Sequence, residues 1–391
     1  MPERTITTTE QASGNGNPAF TTLGHGVAEA TRRGKRESQG AGWHRRPFGE
    51  DSHVQLPAVT YYRSPHWLHE PPDAERSERR IGRVYRCAAA RRAGSKTGRS
   101  RRLSRGRVAA ENVSSLIQSI TARLSGVGIE DAGIDARLLL RSAFEWSAAQ
   151  QLGNLLDPPP ADRLELLESL VVRRLGREPL QYITGNAEFF RRQFKVSDAV
   201  LIPRPETEQI VVQTLAFVRE LGIENPRIAD ICTGSGAIAV SIALELPSAE
   251  VHATDISADT LTIAQQNATD LGAELDLYEG NLSDPLSGEF DVIVSNPPYI
   301  LTSAMPGLQA EVAREPVLAL DGGSDGLDLI RPLFVGISKL LSPNASAAYV
   351  EIDPPIEDAV MELALEQFPH AGISLLTDLT GLTRCVSIER A

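Results

Sequence analysis

DICTGSGAIA, Asp230 to Ala239, joins a short apolar run, RIADIC (227–232), to a stretch that reads as a helix, 237–246. Gly234 and Gly236 permit a tight turn and let a ligand approach the backbone closely. EVHATDI (250–256) reads as a second strand, and Asp255 ends it 21 residues after Gly234. A carboxylate there can accept two hydrogen bonds from ribose hydroxyls, so the order of strand, glycine turn, helix, strand and acid reads as an adenosine-type cofactor site. The turn alone leaves the cofactor open, because Gly234-x-Gly236-x-x-Ala239 also satisfies the dinucleotide fingerprint. Asp230 favours S-adenosylmethionine: an acid at that strand end meets the cationic amino group of methionine but repels a pyrophosphate. The bland alternative is a strand-to-helix turn that binds nothing.

Working outward, short apolar runs continue to alternate with amphipathic stretches. LDLYEG, FDVIVS, AAYVEI, ISLLTDL and RCVSIE read as strands; 258–271, about 326–341 and 356–367 read as helices. Ser257 is a candidate N-cap and Gly272 a C-terminal stop for 258–271. Such alternation implies an α/β fold with a mostly parallel, doubly wound sheet. The last two strands, joined only by TGLT, suggest an antiparallel hairpin at one edge.

The fourth strand runs into Asn296-Pro297-Pro298-Tyr299. In an open α/β sheet, ligands bind beyond the carboxyl ends of the strands. An NH2 group on an amide or an aromatic base is planar, with a delocalised lone pair, and is a weak nucleophile. The Asn296 side-chain oxygen and the Pro297 carbonyl can each accept one of its N–H bonds, aim the nitrogen at a methyl donor and stabilise the developing positive charge. The two prolines stiffen the loop and remove competing donors, and Tyr299 can stack on the flat group or line the path of the methyl. An Asn-Pro turn that merely ends a strand is the plain alternative.

Upstream, VSSLIQSITARLSGVGI places Leu116, Ile117, Ile120 and Leu124 at helical spacing, and similar patterns in IDARLLLRSAFEW and RLELLESLVVRRLG make 108–180 a helical domain of four or five helices, a candidate recognition module. QYITGNAEFFRRQFKVSDAVLIP (181–203), rich in aromatic and β-branched residues, reads as a β-hairpin linker with turns at Gly185–Asn186 and Ser197–Asp198, followed by the catalytic domain, 204–391. Residues 1–107 hold 21 Lys and Arg against 10 Asp and Glu, leaving 18 against 41 for the rest, so the net charge of −12 divides into a basic leader and an acidic body. The leader has no sustained period and reads as a disordered tail, a nucleic-acid- or ribosome-binding arm, or a targeting peptide; Glu3, Glu10 and Glu29 weigh against the last. With methionines only at 1, 305 and 361, it also reads as an over-extended start.

The chain from about 112 to 391 resembles the peptide chain release factor glutamine methyltransferase family. LIPRPETE (201–208), EPVLALDGGSDGLDLIR (315–331), GREPLQYITGNAEFF and DLTGLTR carry the match beyond the NPPY motif, which adenine-amino methyltransferases share. The resemblance implies a class I S-adenosylmethionine-dependent methyltransferase, Rossmann-like, with a mostly parallel seven-stranded sheet, a small N-terminal helical domain and a β-hairpin linker. It implies methyl transfer to the side-chain amide of the Gln in the Gly-Gly-Gln loop of release factors. On this chain Asp230 and Cys232, Thr233, Gly234, Ser235 and Gly236 would hold the methionine part of the cofactor, Asp255 the ribose and Asn281 the adenine. Asn296, Pro297, Pro298 and Tyr299 would hold the substrate, with Asn296 also beside the cofactor, and Arg204, Glu206 and Glu208 would shape the rim.

Two departures stand out. Gly280 sits where the family often has an acid beside the adenine, and EIDPPIE replaces a Gly- and Gln-containing turn. The alternative function is an adenine-amino methyltransferase acting on DNA or RNA through the basic leader; the acidic body argues against duplex DNA. A catalytically silent cofactor-binding scaffold would have no need of Asn296 and Tyr299. Nothing in the sequence points to a metal, and His252 and His370 read as isolated packing or surface residues. Cys87, Cys232 and Cys385 are far apart, which argues for a reducing, cytoplasmic setting, and no apolar run approaches the length of a membrane span.

Overall fold

The computed structural model describes residues 112–391, so the expectations for the leader lie outside the described residues. The described chain opens with the helices α1 Val113–Ser125, α2 Ala132–Phe144, α3 Ala148–Gly153, α4 Leu164–Leu175 and α5 Leu180–Thr184. Asn112 starts α1 with a capping box: its Oδ1 accepts from the Ser115 N–H at 2.9 Å, and its own N–H donates to Ser115 Oγ at 3.2 Å. Helical spacing then buries Val113, Ile117, Ile120 and Leu124. They pack with Leu139 and Leu140 of α2 and with Leu167 and Val171 of α4, a core belonging to this segment alone. Each such side chain contributes about 1.5–3 kcal/mol on burial.

The stretch 181–184, expected to open the hairpin, is helical. Pro179 precedes α5 with φ near the value its ring imposes, and Gly185 stops it at φ 75. Tyr182 and Ile183 are buried there, so their aromatic and β-branched character reports burial rather than an extended chain. The hairpin is β1 Asn186–Phe189 with β2 Arg192–Lys195, Ala187 opposite Phe194. Its turn falls at Phe190–Arg191, both at positive φ (46 and 61), rather than at Gly185–Asn186. That conformation costs a Cβ-bearing residue energy. Glu208 offsets the cost by accepting from the Phe190 N–H at 2.8 Å. The turn expected at Ser197 is present, with Ser197 Oγ accepting from the Ala199 N–H.

After α6 Glu208–Leu221 comes the alternation that the sequence suggests: β3 Arg227–Ile231, α7 Ala237–Glu245, β4 Glu250–Asp255, α8 Ala258–Leu271, β5 Asp276–Glu279 and β6 Val292–Ser295. The short strands β7 Ile300–Leu301 and β8 Asp321–Gly323 pair with each other, and α9 Ile330–Leu340, β9 Ser346–Glu351, α10 Glu357–Gln367, β10 Gly372–Thr377 and β11 Thr383–Arg390 complete the chain. Seven strands form one sheet in the order β10-β11-β9-β6-β3-β4-β5. β11 is antiparallel to both its neighbours and the remaining pairs are parallel. Ser257 caps α8 and Gly272 closes it at φ 76, as expected.

Ile210, Val211 and Ile238 cover one face of the sheet together with Phe189 and Phe194 of the hairpin. Ile330, Leu333, Phe334 and Val360 cover the other. The strand order reverses between β3 and β6, which lie side by side with Asp230 opposite Val294. A crevice opens beyond the carboxyl ends of two such strands. Those ends carry the glycine turn and Asn296. Among the described residues, no helix is long and apolar enough to cross a membrane.

Candidate active site

A cavity of about 320 Å³ lies at this reversal point, within the range of small-ligand sites. Cys232, Thr233, Gly234 and Ser235 line it from the turn after β3, Asp255 from the end of β4, Asn281 from beyond β5, and Asn296 and Pro298 from beyond β6. These residues, spread over 67 positions of sequence, are thus brought to one wall. Gly236 is buried beneath the turn; a Cβ there would lie 3.2 Å from the Ala264 Cβ of α8, at a φ of 77 that side chains rarely adopt.

The turn is tied down by hydrogen bonds. The Gly236 N–H donates to the Thr233 carbonyl at 2.9 Å and the Thr233 N–H to the Thr254 carbonyl at 2.9 Å. Asp255 Oδ2 accepts from the Gly234 N–H at 3.0 Å and its Oδ1 from the Ser257 N–H at 3.1 Å. Each of these oxygens keeps a lone pair for a ribose hydroxyl. Burial pushes the Asp255 carboxyl above the usual carboxylate range, against the backbone donors that hold it down. Cys232 stands at φ 63. Burial, with Asp255 and Asp230 nearby, pushes its thiol up to about 12, so it remains neutral and is no nucleophile at neutral pH.

Asp230 is fully buried and is not part of the wall. Its Oδ2 accepts from Thr233 Oγ1 at 2.7 Å and from the Ala239 N–H at 3.1 Å, so the carboxylate builds the turn from below. Its Oδ1 has no protein partner, a polar atom left over beneath a turn suited to a cationic ligand. Burial raises its pKa to about 7, against these two donors.

Asn296 Nδ2 donates to Thr207 Oγ1 at 3.2 Å. Pro297 and Tyr299 are not on the wall. The Tyr299 ring packs into the sheet face covered by α9 and α10, and its hydroxyl donates to Glu351 Oε1 at 3.0 Å. Stacking of Tyr299 on a flat ligand in this cavity is therefore replaced by a role in the loop's support. Burial beside the carboxylates of Glu351 and Asp353 pushes the phenol well above its ordinary value.

None of the three rim candidates, Arg204, Glu206 and Glu208, lines the cavity. Arg204 forms an ion pair with Glu315, whose other oxygen accepts from the Ile202 N–H at 3.1 Å. Glu206 lies in the field of Glu351 and Arg384. Glu208 belongs to the hairpin turn instead, through Phe190. Gly280 is off the wall, and a Cβ on it would lie 2.4 Å from Pro285 Cγ, so an acid there would displace that proline. Asp353 of the altered EIDPPIE turn lies 3.7 Å from Arg384.

Sequence reasoning quoted 315–331 only as part of the family match and gave the segment between β7 and β8 no place at the site. Pro316, Leu318 and Ala319 line the cavity, while Val317 and Leu318 are largely exposed. Glu311 of this segment accepts from Arg174 at 2.8 Å and from Arg177 at 2.7 Å, and Arg314 donates to the Gly176 carbonyl at 2.9 Å. The helical segment thus grips the cavity's border. A Cβ on Gly322, at the end of this segment, would fall 2.6 Å from the Tyr299 Cα, which accounts for the glycine. His252 is not isolated: it lies 2.8 Å from Glu250 and 3.7 Å from Asp276, with the Arg227 guanidinium 3.2 Å away.

This strand order, with a glycine turn on one side of the reversal point, an acid at the end of the next strand and Asn-Pro-Pro-Tyr on the other side, defines a class I S-adenosylmethionine-dependent methyltransferase. Residues 115–185 match the PrmC N-terminal domain family and residues 208–314 the methyltransferase small domain family. The release factor glutamine methyltransferase of Moorella thermoacetica is 44% identical over 269 residues, 67% of this chain and 93% of the relative. Those of Deinococcus radiodurans and Bacillus anthracis are 37% and 40% identical, covering 71% and 66% of this chain and 98% and 92% of the relatives. The chain belongs to the release factor glutamine methyltransferase family, and its cofactor is S-adenosylmethionine.

Proposed function

We propose that this enzyme methylates the side-chain amide nitrogen of the Gln in the Gly-Gly-Gln loop of a peptide chain release factor, in the cytoplasm. The observation that carries the reading is Asn296: its Nδ2 is engaged by Thr207 while the residue lines the same cavity as Gly234 and Asp255. Its Oδ1 is then the atom left to receive an amide N–H.

Thr233, Gly234, Ser235 and Cys232 would hold the methionine part of the cofactor, with Asp230 supporting the turn, Asp255 the ribose and Asn281 the adenine. When bound, S-adenosylmethionine supplies an electrophilic methyl group. Asn296 Oδ1 and the Pro297 carbonyl accept the two N–H bonds of the substrate amide, fix its nitrogen and favour the positive charge that develops on it. Pro298 stiffens the loop, and Tyr299 holds it against Glu351. Arg204, through Glu315, anchors the cavity's outer border. The helical segment from α1 to α5 is the recognition module: its Arg174 and Arg177 grip the border through Glu311, and the exposed Val317 and Leu318 offer apolar contact at the mouth.

The test is methyl transfer from labelled cofactor to three acceptors: a release factor, the same factor with Ala in place of the loop Gln, and DNA. Label on the unaltered factor alone supports the reading. Label on DNA favours an adenine-amino methyltransferase and turns attention to the basic leader.

A further inference from the structure

We propose that Asn267 is a positioning residue for the cofactor: from outside the cavity it locks one peptide of the glycine turn and fastens that turn to the hairpin. The inference rests on the reading of the glycine turn as the cofactor's seat.

Asn267 lies on α8, is 1% exposed and is absent from the cavity wall. Its Oδ1 accepts from the Lys195 N–H at 2.7 Å. Its Nδ2 donates to the Lys195 carbonyl at 3.0 Å and to the Ser235 carbonyl at 2.8 Å. Both amide hydrogens are thus used. The reverse orientation of the amide would set Oδ1 against two carbonyl oxygens, so its partners fix which way it faces.

The Ser235 carbonyl and the Gly236 N–H belong to one peptide plane. Asn267 holds the carbonyl end, and the Thr233 carbonyl holds the N–H end at 2.9 Å. Turning that peptide over changes ψ of Ser235 and φ of Gly236, and a glycine accepts either sign of φ. The backbone itself therefore offers little resistance; the two hydrogen bonds supply it. A turned peptide would leave the buried Ser235 carbonyl without Asn267 and reshape the surface that Gly234 and Ser235 present to the cavity.

The other end of the device is the hairpin. Lys195 ends β2, and Asn267 gives it the pair of backbone bonds that a neighbouring strand would supply. Four positions on, the chain enters the cavity wall at Ala199, Val200 and Leu201. The Thr260 hydroxyl of α8 donates to the Ala199 carbonyl at 2.9 Å. Ala264, between Thr260 and Asn267, is the residue against which Gly236 packs. Spacings of four and three put all three on one face of α8. That face therefore sets the glycine turn and the chain leaving the hairpin against each other.

The experiment titrates the full chain with S-adenosylmethionine and measures kcat and KM with a release factor, alongside urea unfolding. Asn267→Asp keeps the shape and the acceptor for Lys195, but in either protonation state it cannot donate to both carbonyls. It should weaken cofactor binding by about tenfold or more. At saturating cofactor its kcat should stay within about threefold of wild type, and its KM for the release factor within about twofold. Arg192→Ala is the control: it removes another tie of the hairpin, to Glu245 at 2.7 Å, without touching the turn. It should lower stability and leave cofactor affinity within about twofold. Should Asn267→Asp fail to fold, Asn267→Ser, smaller and with a single donor, takes its place under the same thresholds.

Cofactor binding within twofold of wild type in the Asn267 variant would overturn the proposal, since stability alone would then be at stake. So would an equal loss of cofactor affinity in Arg192→Ala, which would assign the effect to a loosened hairpin. Asp255→Ala separates the two levels. If it binds the cofactor as wild type does, the reading of the turn fails; if it binds weakly while Asn267→Asp binds normally, only the present inference fails.

Discussion

The Gly234 backbone N–H donates to Asp255 Oδ2 at 3.0 Å, so the turn after β3 and the acid that ends β4 form one rigid unit. The carboxylate therefore has two duties: shaping the turn and receiving a ribose. Asp255→Ala removes both and should weaken cofactor binding by about 100-fold. Asp255→Asn keeps an acceptor for Gly234 but loses the charge, and should cost about tenfold, since hydrogen bonds to a charged group contribute roughly 1.5–3 kcal/mol. Isothermal titration with S-adenosylmethionine checks both values.

Gly280 and Pro285 share one space, since a Cβ on Gly280 would lie 2.4 Å from Pro285 Cγ. Gly280→Asp should destabilise the protein by about 2 kcal/mol through overpacking. Adding Pro285→Ala should recover most of that loss. Thermal unfolding of the single and double variants would show whether the two positions are coupled; additive losses would refute it.

Glu311 joins the helical segment to the border of the cavity through Arg174, which is 6% exposed. Arg174 keeps Asp135, 2.7 Å from its Nε, so removing Glu311 takes away one of its two carboxylates, at a cost of about 1.5–3 kcal/mol for the lost charged hydrogen bond. Glu311→Ala should show that loss in urea unfolding. It should also raise KM for the protein substrate more than for the cofactor, because Glu311 is absent from the cavity wall.

Two buried carboxyls, Asp230 and Glu351, are both raised to about 7. Between the ordinary carboxylate range and about 7 the folded state holds protons that the unfolded chain releases, so their contribution to stability is full at low pH and lost as pH rises through about 7. Stability measured by urea unfolding should fall from pH 5 to pH 8. The fall should be shallower in Asp230→Asn and in Glu351→Gln.

Much of the fold is legible because each sheet strand is short, apolar and bounded by a turn or a cap, as at Ser257 and Gly272. The wall residues on the glycine turn, Asp255, Asn281 and Asn296 are legible because reversal-point geometry follows from strand order. What the sequence hides is side-chain direction. Asp230 and Tyr299 stand next to wall residues in the chain but turn away to Thr233 and Glu351. Thr207 and Asn296 are 89 positions apart, and LIPRPETE does not say that the Thr207 hydroxyl meets the Asn296 amide; only the fold brings them together. The helix α5 was hidden by strand-like residues whose burial, not their backbone preference, selected them. The hairpin turn at Phe190–Arg191 uses two residues with no turn signature and depends on Glu208, 18 positions away.

The most direct measurement is the location of the transferred methyl group. A release factor incubated with the full chain and S-adenosylmethionine is digested, and the peptide carrying Gly-Gly-Gln is sequenced by tandem mass spectrometry. The account predicts one added methyl on the Gln side-chain nitrogen, and none when Asn296→Ala replaces the wild-type enzyme. A methyl group on another residue, or full modification by Asn296→Ala, would contradict it.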